Sequence, residues 1–507
     1  MKPSESFPQS VEIELKLALL DAKPADVVKK MARLPMLAKC QPTQLQLHNV
    51  YYDTPEQHLR QQRVALRLRR VGRGADLQWL QTLKTGGNSH SALNQRGEWE
   101  TPVANASLSR KCLKATPWSD MDPDGRLFKR LVPSFTTSFE RTVWLVRRRD
   151  GSVVEVALDI GHIVAGDKTA PICELEFELK AGHSASLFAV AKQVARTIAV
   201  LPATQSKAER GYALAQGMLC LPLPARAPKL PPDLPVIDAA QRVLSEALAQ
   251  FTGNLNVLAT SDDPEVVHQA RVGWRRFKSA ARLFRPVLAP DAAPSWQGLH
   301  VLLTCLGELR DVDVAMTETL PPLANAYAAG NAQRTHAWAV MTDALAQDAE
   351  LQRKAVRYAL RGPSVGASLL AATQWLADMA ALPLDADDAA LQALSLRRWS
   401  RQRIKRLHRQ YKVAIHAAND PESQHRVRIL AKRMRYSIEA MHGLLPNKRA
   451  DRWLQQATTL QSQMGAARDL GNALRLVARL GLEPGLTEFL RGVGVGRQAR
   501  LKPLGPT

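Results

Sequence analysis

Paired cysteines are missing from this sequence. Its five cysteines (Cys40, Cys112, Cys173, Cys220, Cys305) are scattered, odd in number and form no C-x-x-C pair. That spacing argues against a disulfide framework or a structural zinc site and fits a reducing compartment. Long hydrophobic runs are also missing: nowhere do about 18 uninterrupted apolar residues occur, so no transmembrane helix is expected. The opening MKPSESFPQSVEIELK has no basic segment followed by an apolar one, so no secretory leader is expected and a cytoplasmic location is. Aromatic residues make up only 5% of the chain. Acidic residues are in deficit, with 47 Asp and Glu against 69 Lys and Arg, a net charge of +22. Such an excess says little about fold and much about partners: nucleic acid, an anionic membrane surface, or phosphate-rich small molecules.

What is present is an ordinary globular composition, 45% apolar and 23% charged over 507 residues. That excludes wholesale disorder and implies roughly two to four domains. The clearest boundary is LPLPARAPKLPPDLPV, residues 221–236, with six prolines in sixteen residues. Proline fits neither helix interior nor central strand, so this reads as a semi-rigid linker. Residues 1–220 carry +9 and residues 221–507 carry +13, so both halves are basic. The first half alternates charged and apolar residues with period two, predicting antiparallel strands. The second, 237–507, is rich in Ala, Leu and Arg at helical spacing, predicting an all-α domain.

The strands predicted in the first half have unlike faces. In Val11–Leu17, Glu12, Glu14 and Lys16 share one face and Val11, Ile13, Leu15 and Leu17 the other. Arg67 and Arg69, Glu98 and Glu100, Glu155 and Asp159, and Glu174, Glu176, Glu178 and Lys180 repeat the pattern. A half-solvated sheet with its charges outside is one reading. The other follows from like charges standing side by side. Neighbouring carboxylates raise one another's pKa unless a cation sits among them. Two such acidic strands suggest an oxygen-ligand site for Mg²⁺ or Mn²⁺. Lys84, Arg96, Arg141 and Arg147 supply an opposing field, and the combination suits a polyphosphate substrate. Arg148 and Arg149 read as solvated charges before a turn, and His48 as structural.

The blocks EIELK (Glu12–Lys16), NVYYDTP (Asn49–Pro55), ALRLR (Ala65–Arg69), QTLK (Gln81–Lys84), RGEWE (Arg96–Glu100), VEVALD (Val154–Asp159), ELEFELK (Glu174–Lys180) and SKAERGYAL (Ser206–Leu214) stand in the order seen in the CYTH, or triphosphate tunnel metalloenzyme, superfamily, which this half resembles. The resemblance implies an eight-stranded antiparallel β-tunnel with a polar lumen that hydrolyses a triphosphate. It implies one divalent ion on Glu12 and Glu14, and a second held or oriented by Asp159, Glu174, Glu176 and Glu178. Lys16, Arg67, Arg69, Lys84, Arg141 and Lys207 would bind phosphate oxygens, with catalysis resting on Glu12, Glu14, Lys16, Glu176 and Glu178. Two metals and a basic lining provide the charge neutralisation and aligned water that phosphoryl transfer requires. Whether Arg96, Glu98 and Glu100 face the lumen or pair with each other stays open at this level.

The second half contains a duplication. His268, Arg271, Arg275 and Lys278 stand at i, i+3, i+7 and i+10, and His425, Arg428, Lys432 and Arg435 repeat that register 157 residues later. Leu306-Gly307 with Arg310-Asp311 returns as Met464-Gly465 with Arg468-Asp469 at an offset of 158. Two matched stripes without an acidic residue suggest a composite anion groove, although like charges along one helix repel. Arg310–Asp311 and Arg468–Asp469 read as structural ion pairs near helix ends. The pattern resembles the CHAD domain, an α-helical module of two related four-helix units. The resemblance implies binding of long-chain inorganic polyphosphate through His268, Arg271, Arg275, Arg276 and Lys278, and through His425, Arg428, Lys432, Arg433 and Arg435. The expectation is therefore an α+β multidomain metal-dependent inorganic triphosphatase acting on tripolyphosphate and associated with polyphosphate granules. Kept beside it are an organic triphosphate hydrolase (thiamine or nucleoside triphosphate), a class IV adenylate cyclase, and a polyphosphate-binding module with weak catalysis. No specific nucleic acid and no membrane partner are expected.

Overall fold

The computed structural model describes residues 11–20, 23–72, 77–90, 92–289, 293–379, 395–418 and 420–500. They form two compact units, residues 1–221 with 361–377, and residues 222–360 with 378–507. The periodicity assigns residues 361–377 to the helical half, while the compact unit that holds the strands includes them. The helix Pro363–Asp378 belongs with the first unit: Leu370 joins its core and Gln374 accepts a 2.6 Å bond from Lys192.

The first unit is built on a closed antiparallel sheet. Its eight main strands are β1 (Val11–Leu19), β2 (Thr43–Asp53), β3 (Ala65–Val71), β4 (Gln78–Lys84), β6 (Leu93–Val103), β7 (Val132–Arg147), β8 (Val153–Ala165) and β9 (Lys168–Ala181). They run in the order β1-β9-β8-β7-β2-β3-β4-β6, and β6 pairs again with β1, which closes the ring. Two short strands, β5 (Asn88–His90) and β10 (Val200–Pro202), add to β6 and β1. Closure leaves the barrel wall no unpaired edge and divides every strand into an inner and an outer face.

The outer face is the apolar one over much of the wall. Leu15, Leu17, Trp144, Val156, Leu158, Leu175 and Phe177 pack there with Leu187, Phe188 and Val194 of the helix Ala185–Ala195. The charged faces therefore point inward. At about 25 cal/mol per Å² of apolar surface, covering that exterior with helices is the strongest term favouring this polarity. Part of the interior is filled by the helix Lys207–Ala215. Its Tyr212 and Leu214 pack with Leu47, Tyr51, Phe135 and Phe139, and Ser206 and Glu209 form a capping box at its start. Gly211 allows this approach: a Cβ there would lie 2.1 Å from the Phe135 ring. Asp53 of the NVYYDTP block is buried and structural, accepting from the amides of Thr54, Leu59 and Arg60 and from the Tyr212 hydroxyl.

The second unit is helical. Its main helices among the described residues fall into two sets in chain order. The first is Val236–Leu258, Pro264–Phe284, His300–Val314 and Ala332–Leu360; the second is Leu396–His416, Pro421–Met441, Asn447–Arg479 and Pro484–Arg500. Each stripe lies on the second helix of its set, entered by Asp263–Pro264 or Asp420–Pro421 with the aspartate capping the first amides. No helix among the described residues is long and apolar enough to cross a membrane.

Candidate functional site in the barrel lumen and a cationic cluster between the helical repeats

Register places the charged residues of β1 beside those of both neighbours. Lys16 is opposite Glu176 and Glu14 opposite Glu178 on β9, while Glu12 is opposite Arg96 on β6. One continuous ion-pair network results. Arg69 and Arg67 reach Glu100 at 3.7 and 3.9 Å, and Arg67 reaches Glu98 at 3.4 Å. Glu98 meets Lys84 at 3.0 Å, Lys84 meets Glu12 at 2.9 Å, and Arg96 bridges Glu12 (3.0 Å) to Glu14 (2.6 Å). Lys16 joins Glu14 at 3.3 Å to Glu176 at 3.1 Å. Beyond it Arg141 grips Asp159 and Glu176, and Lys207 reaches Asp159 (2.6 Å), Glu174 (2.5 Å) and Glu176 (3.0 Å). Arg210 ends the network on Glu174 at 3.1 Å.

Carboxylate oxygens of Asp159, Glu174 and Glu176 lie within 4.8 Å of one another. This is an all-oxygen donor set of the kind hard divalent cations take, so the residues fit Mg²⁺ or Mn²⁺. Burial pushes Asp159 and Glu176 up, but the cations Arg141, Lys207 and, for Glu176, Lys16 outweigh it and hold both below the usual carboxylate range. Burial opposes charge on Lys16 and Lys207 as well, and their carboxylate partners keep both above the usual lysine range. Glu12 is held low against its burial by Lys84 and Arg96. Arg69 is lowered to about 10 by burial and by Arg67 and Arg141. Arg67 is 7% exposed, and its Nε has no hydrogen-bond partner.

Glu178 stands apart from the three-carboxylate cluster. It pairs with Lys180 at 2.7 Å, which also reaches Glu155 at 3.6 Å, and burial raises its pKa. Arg96, Glu98 and Glu100, left open by the sequence, all belong to the lumenal network. Arg210 was missed. It lies three residues after Lys207 on the same helix, a spacing that puts both on one face. Outside the lumen, His48 Nδ1 is 2.7 Å from Ser138 Oγ, and Arg148 contacts Asp150 at 3.4 Å.

In the helical unit the two stripes meet. Lys432 is depressed to about 7 by burial and then by Arg275, Arg428, Arg468 and Arg271, so cations from both halves share one electrostatic neighbourhood. Arg271 is lowered to about 10 by burial and Arg275. Gly307 makes room for Arg271, whose Nη1 is 3.1 Å from where a Cβ would stand. His268 is half-buried and lowered by burial and Arg310, whereas Lys278 and His425 are exposed. Arg276 does not share the stripe. It is 8% exposed and donates to Gln250 Oε1 (2.7 Å) and the Arg226 carbonyl (3.0 Å), because adjacent helical residues point about 100° apart. Arg433 neighbours Arg282 and Arg403, and Arg435 pairs with Glu439 at 3.4 Å over the Tyr436 ring. Arg310 pairs with Glu318 at 2.7 Å instead of with Asp311. Arg468 and Asp469 lie well inside the helix Asn447–Arg479, and Arg468 faces the cationic cluster.

The chain matches the CYTH domain family over residues 10–212 and the CHAD domain family over residues 242–478. A curated relative from Haemophilus influenzae named inorganic triphosphatase is 36% identical over 208 residues, 40% of this chain and 54% of the relative. The chain thus spans about half the length of that relative. The crystal structure of the CHAD domain from the plant Ricinus communis is 29% identical, covering 56% of this chain and 93% of that one with a TM-score of 0.47. A Hippeastrum structure described as a putative adenylyl cyclase with a dominant triphosphatase activity is 17% identical, covering 40% of this chain and 95% of that one, with a TM-score of 0.28.

Proposed function

The chain carries a CYTH domain followed by a CHAD domain, and from this premise we propose that the barrel is a divalent-metal-dependent hydrolase of inorganic triphosphate and that the helical unit binds long-chain polyphosphate. The observation that carries the first part is the balance of the lumenal ion pairs. Nine cations (Lys16, Arg67, Arg69, Lys84, Arg96, Arg141, Lys180, Lys207, Arg210) face nine carboxylates (Glu12, Glu14, Glu98, Glu100, Glu155, Asp159, Glu174, Glu176, Glu178). Such a lining offers a triphosphate many donors and no net positive charge. A polyanion settles there by taking over the cations and leaving the carboxylates in need of new ones.

Asp159, Glu174 and Glu176 would hold one Mg²⁺ or Mn²⁺ ion, and Glu12 with Glu14 another; bound there, such ions neutralise phosphoryl oxygens and acidify water. Lys16, Arg141 and Lys207 exchange carboxylate for phosphate oxygens and fix the chain's position in the tunnel. The unpartnered Nε of Arg67 offers a further buried donor to the substrate. Glu176, once released from Lys16 and Arg141, accepts a hydrogen bond from the attacking water and orients it in line. In the helical unit, Arg271, Arg275, Arg428, Lys432 and Arg468 repel one another at close range, and a polyphosphate chain relieves that repulsion.

Orthophosphate and pyrophosphate release from tripolyphosphate, long polyphosphate, ATP and thiamine triphosphate, under Mg²⁺ and Mn²⁺, tests the assignment. Tripolyphosphate is expected to give orthophosphate, and Glu12→Gln and Glu176→Gln to lose at least a hundredfold in rate. Pyrophosphate release from ATP as the dominant reaction would assign a cyclase instead. Undiminished turnover in Glu12→Gln would remove the metal role of that carboxylate.

A further inference from the structure

The helix Leu396–His416 carries eight Lys and Arg and no Asp or Glu in 21 residues. It stands outside the matched stripes, and the polyphosphate assignment makes no use of it. Its apolar face is committed to the interior: Leu396, Trp399, Ile404, Leu407 and Tyr411 are buried, and Trp399 stacks on Phe284 at 5.0 Å. The opposite face exposes Arg397, Arg398, Arg401, Lys405, Arg409 and Lys412. Among the described residues none of these six makes an ion pair, and Arg401 alone donates a side-chain hydrogen bond, to the Leu444 carbonyl at 3.3 Å.

Each stripe helix is preceded by one long helix, and in the first copy that helix is Val236–Leu258. It fills the same place in the repeat with a single basic residue, Arg242, and two acidic ones, Asp238 and Glu246. That helix is buried over most of its length, whereas Leu396–His416 keeps a broad solvent face, and it is this face that carries the cations. The basic surface also continues sideways. Lys448, Arg449 and Arg452 open the helix Asn447–Arg479, where Arg449 lies over the Trp453 ring at 5.9 Å and His408 stacks on that ring at 4.1 Å.

We propose that the exposed face of Leu396–His416 is a sequence-independent docking surface for duplex DNA. Geometry selects this partner among polyanions. At about 100° and 1.5 Å per residue, the six cations span an arc of about 120° and a length of about 22 Å. A convex face of that size, on a helix about 10–12 Å across, matches a major groove about 12 Å wide with phosphates on both rims. A thin phosphate thread touches only one row of such a face and gains more from the enclosed cluster around Lys432. Single strands need free aromatic faces for base stacking, and Trp453 is already covered by His408 and Arg449. A lipid surface holds best to cations flanked by an apolar face, and this helix buries its apolar side, leaving Val413 as its large exposed apolar side chain. Cations spread over an arc that reaches both rims of the groove contact phosphates, which position the helix and carry no base code.

Fluorescence anisotropy of the full chain with two 24-base-pair duplexes of unrelated sequence tests this, titrated with salt and read against binding of long polyphosphate. Six phosphate contacts give a slope of log Kd on log salt near 5, equal for both duplexes. The variant Arg398→Gln/Lys405→Gln/Arg409→Gln/Lys412→Gln removes four contacts and leaves the Arg401–Leu444 bond in place. Its slope should fall to about 2 and its duplex affinity at 100 mM salt at least fiftyfold, with polyphosphate binding and the far-ultraviolet melting curve retained. The variant Arg275→Gln/Lys432→Gln should keep its duplex affinity. Unchanged duplex binding in the quadruple variant overturns the proposal. So does equal loss of polyphosphate and duplex binding, which would make the helix part of a polyphosphate track. Loss of duplex binding confined to the Arg275/Lys432 variant overturns it as well.

Discussion

Lys207 offers the sharpest test of how the lumen is held together. Its ammonium, with the side chain 6% exposed, is shared by Asp159, Glu174 and Glu176. Lys207→Met keeps the length and the apolar stem and deletes the charge. Arg141 and Lys16 still serve Asp159 and Glu176, and Arg210 still serves Glu174, so the loss falls at the lower end for a broken buried pair, about 3 kcal/mol. For a unit of this size that is a fall in Tm of about 6–12 °C without divalent ions. The pH dependence has a definite sign. Asp159 and Glu176 are held below their unfolded pKa, so the stability they contribute is present above about pH 4 and is lost as pH falls through their folded values. The gap between wild type and variant should therefore be full at pH 7 and narrow towards pH 3. Millimolar Mg²⁺ or Mn²⁺ should stabilise the variant more than wild type, by up to about 2.7 kcal/mol at a hundred times Kd, read as a larger rise in its Tm. Differential scanning calorimetry at pH 7 and pH 3, with and without metal, reads all three effects. A variant as stable as wild type at pH 7, or a gap independent of pH, would refute the reasoning.

Three further outcomes are expected. Lys432, depressed to about 7, must take up a proton when it binds a polyanion at higher pH. Polyphosphate affinity should be flat below pH 6 and fall by up to tenfold per unit between pH 7 and 9, and Lys432→Arg should abolish the fall, as titration calorimetry across that range would show. Arg276→Met should leave polyphosphate affinity unchanged while costing about 1–3 kcal/mol in denaturant melts, because its bonds go to Gln250 and the Arg226 carbonyl. Gly211→Ala should cost about 1–3 kcal/mol by driving a methyl group into Phe135, readable as a lower Tm.

Much of the lumen was legible from alternation. Glu12, Glu14 and Lys16 had to share a face, as did Glu174, Glu176 and Glu178, because side chains alternate along a strand. Alternation is blind to distance along the tunnel. It gave no reason to separate Glu178, which sits with Lys180 and Glu155, from Glu174 and Glu176, which meet Asp159. Arg96 was undecided because its place depends on β6 closing onto β1, a pairing between residues more than 80 positions apart. The stripe spacing likewise placed Arg271, Arg275, Arg428 and Lys432 but not Arg468, which arrives from another helix.

Local rules thus determined the strand faces, the helical repeat and the charge each face carries, since these follow from periods of two and 3.6 residues. Only tertiary structure decided which face looks inward. Ring closure gave each strand an inside, and apolar helices covering the outer wall left the charged side facing the lumen. It also assigned residues 361–377 to the barrel unit, where Leu370 found apolar surface to bury. Burial is a property of what surrounds a residue in space, and no spacing along the chain encodes it.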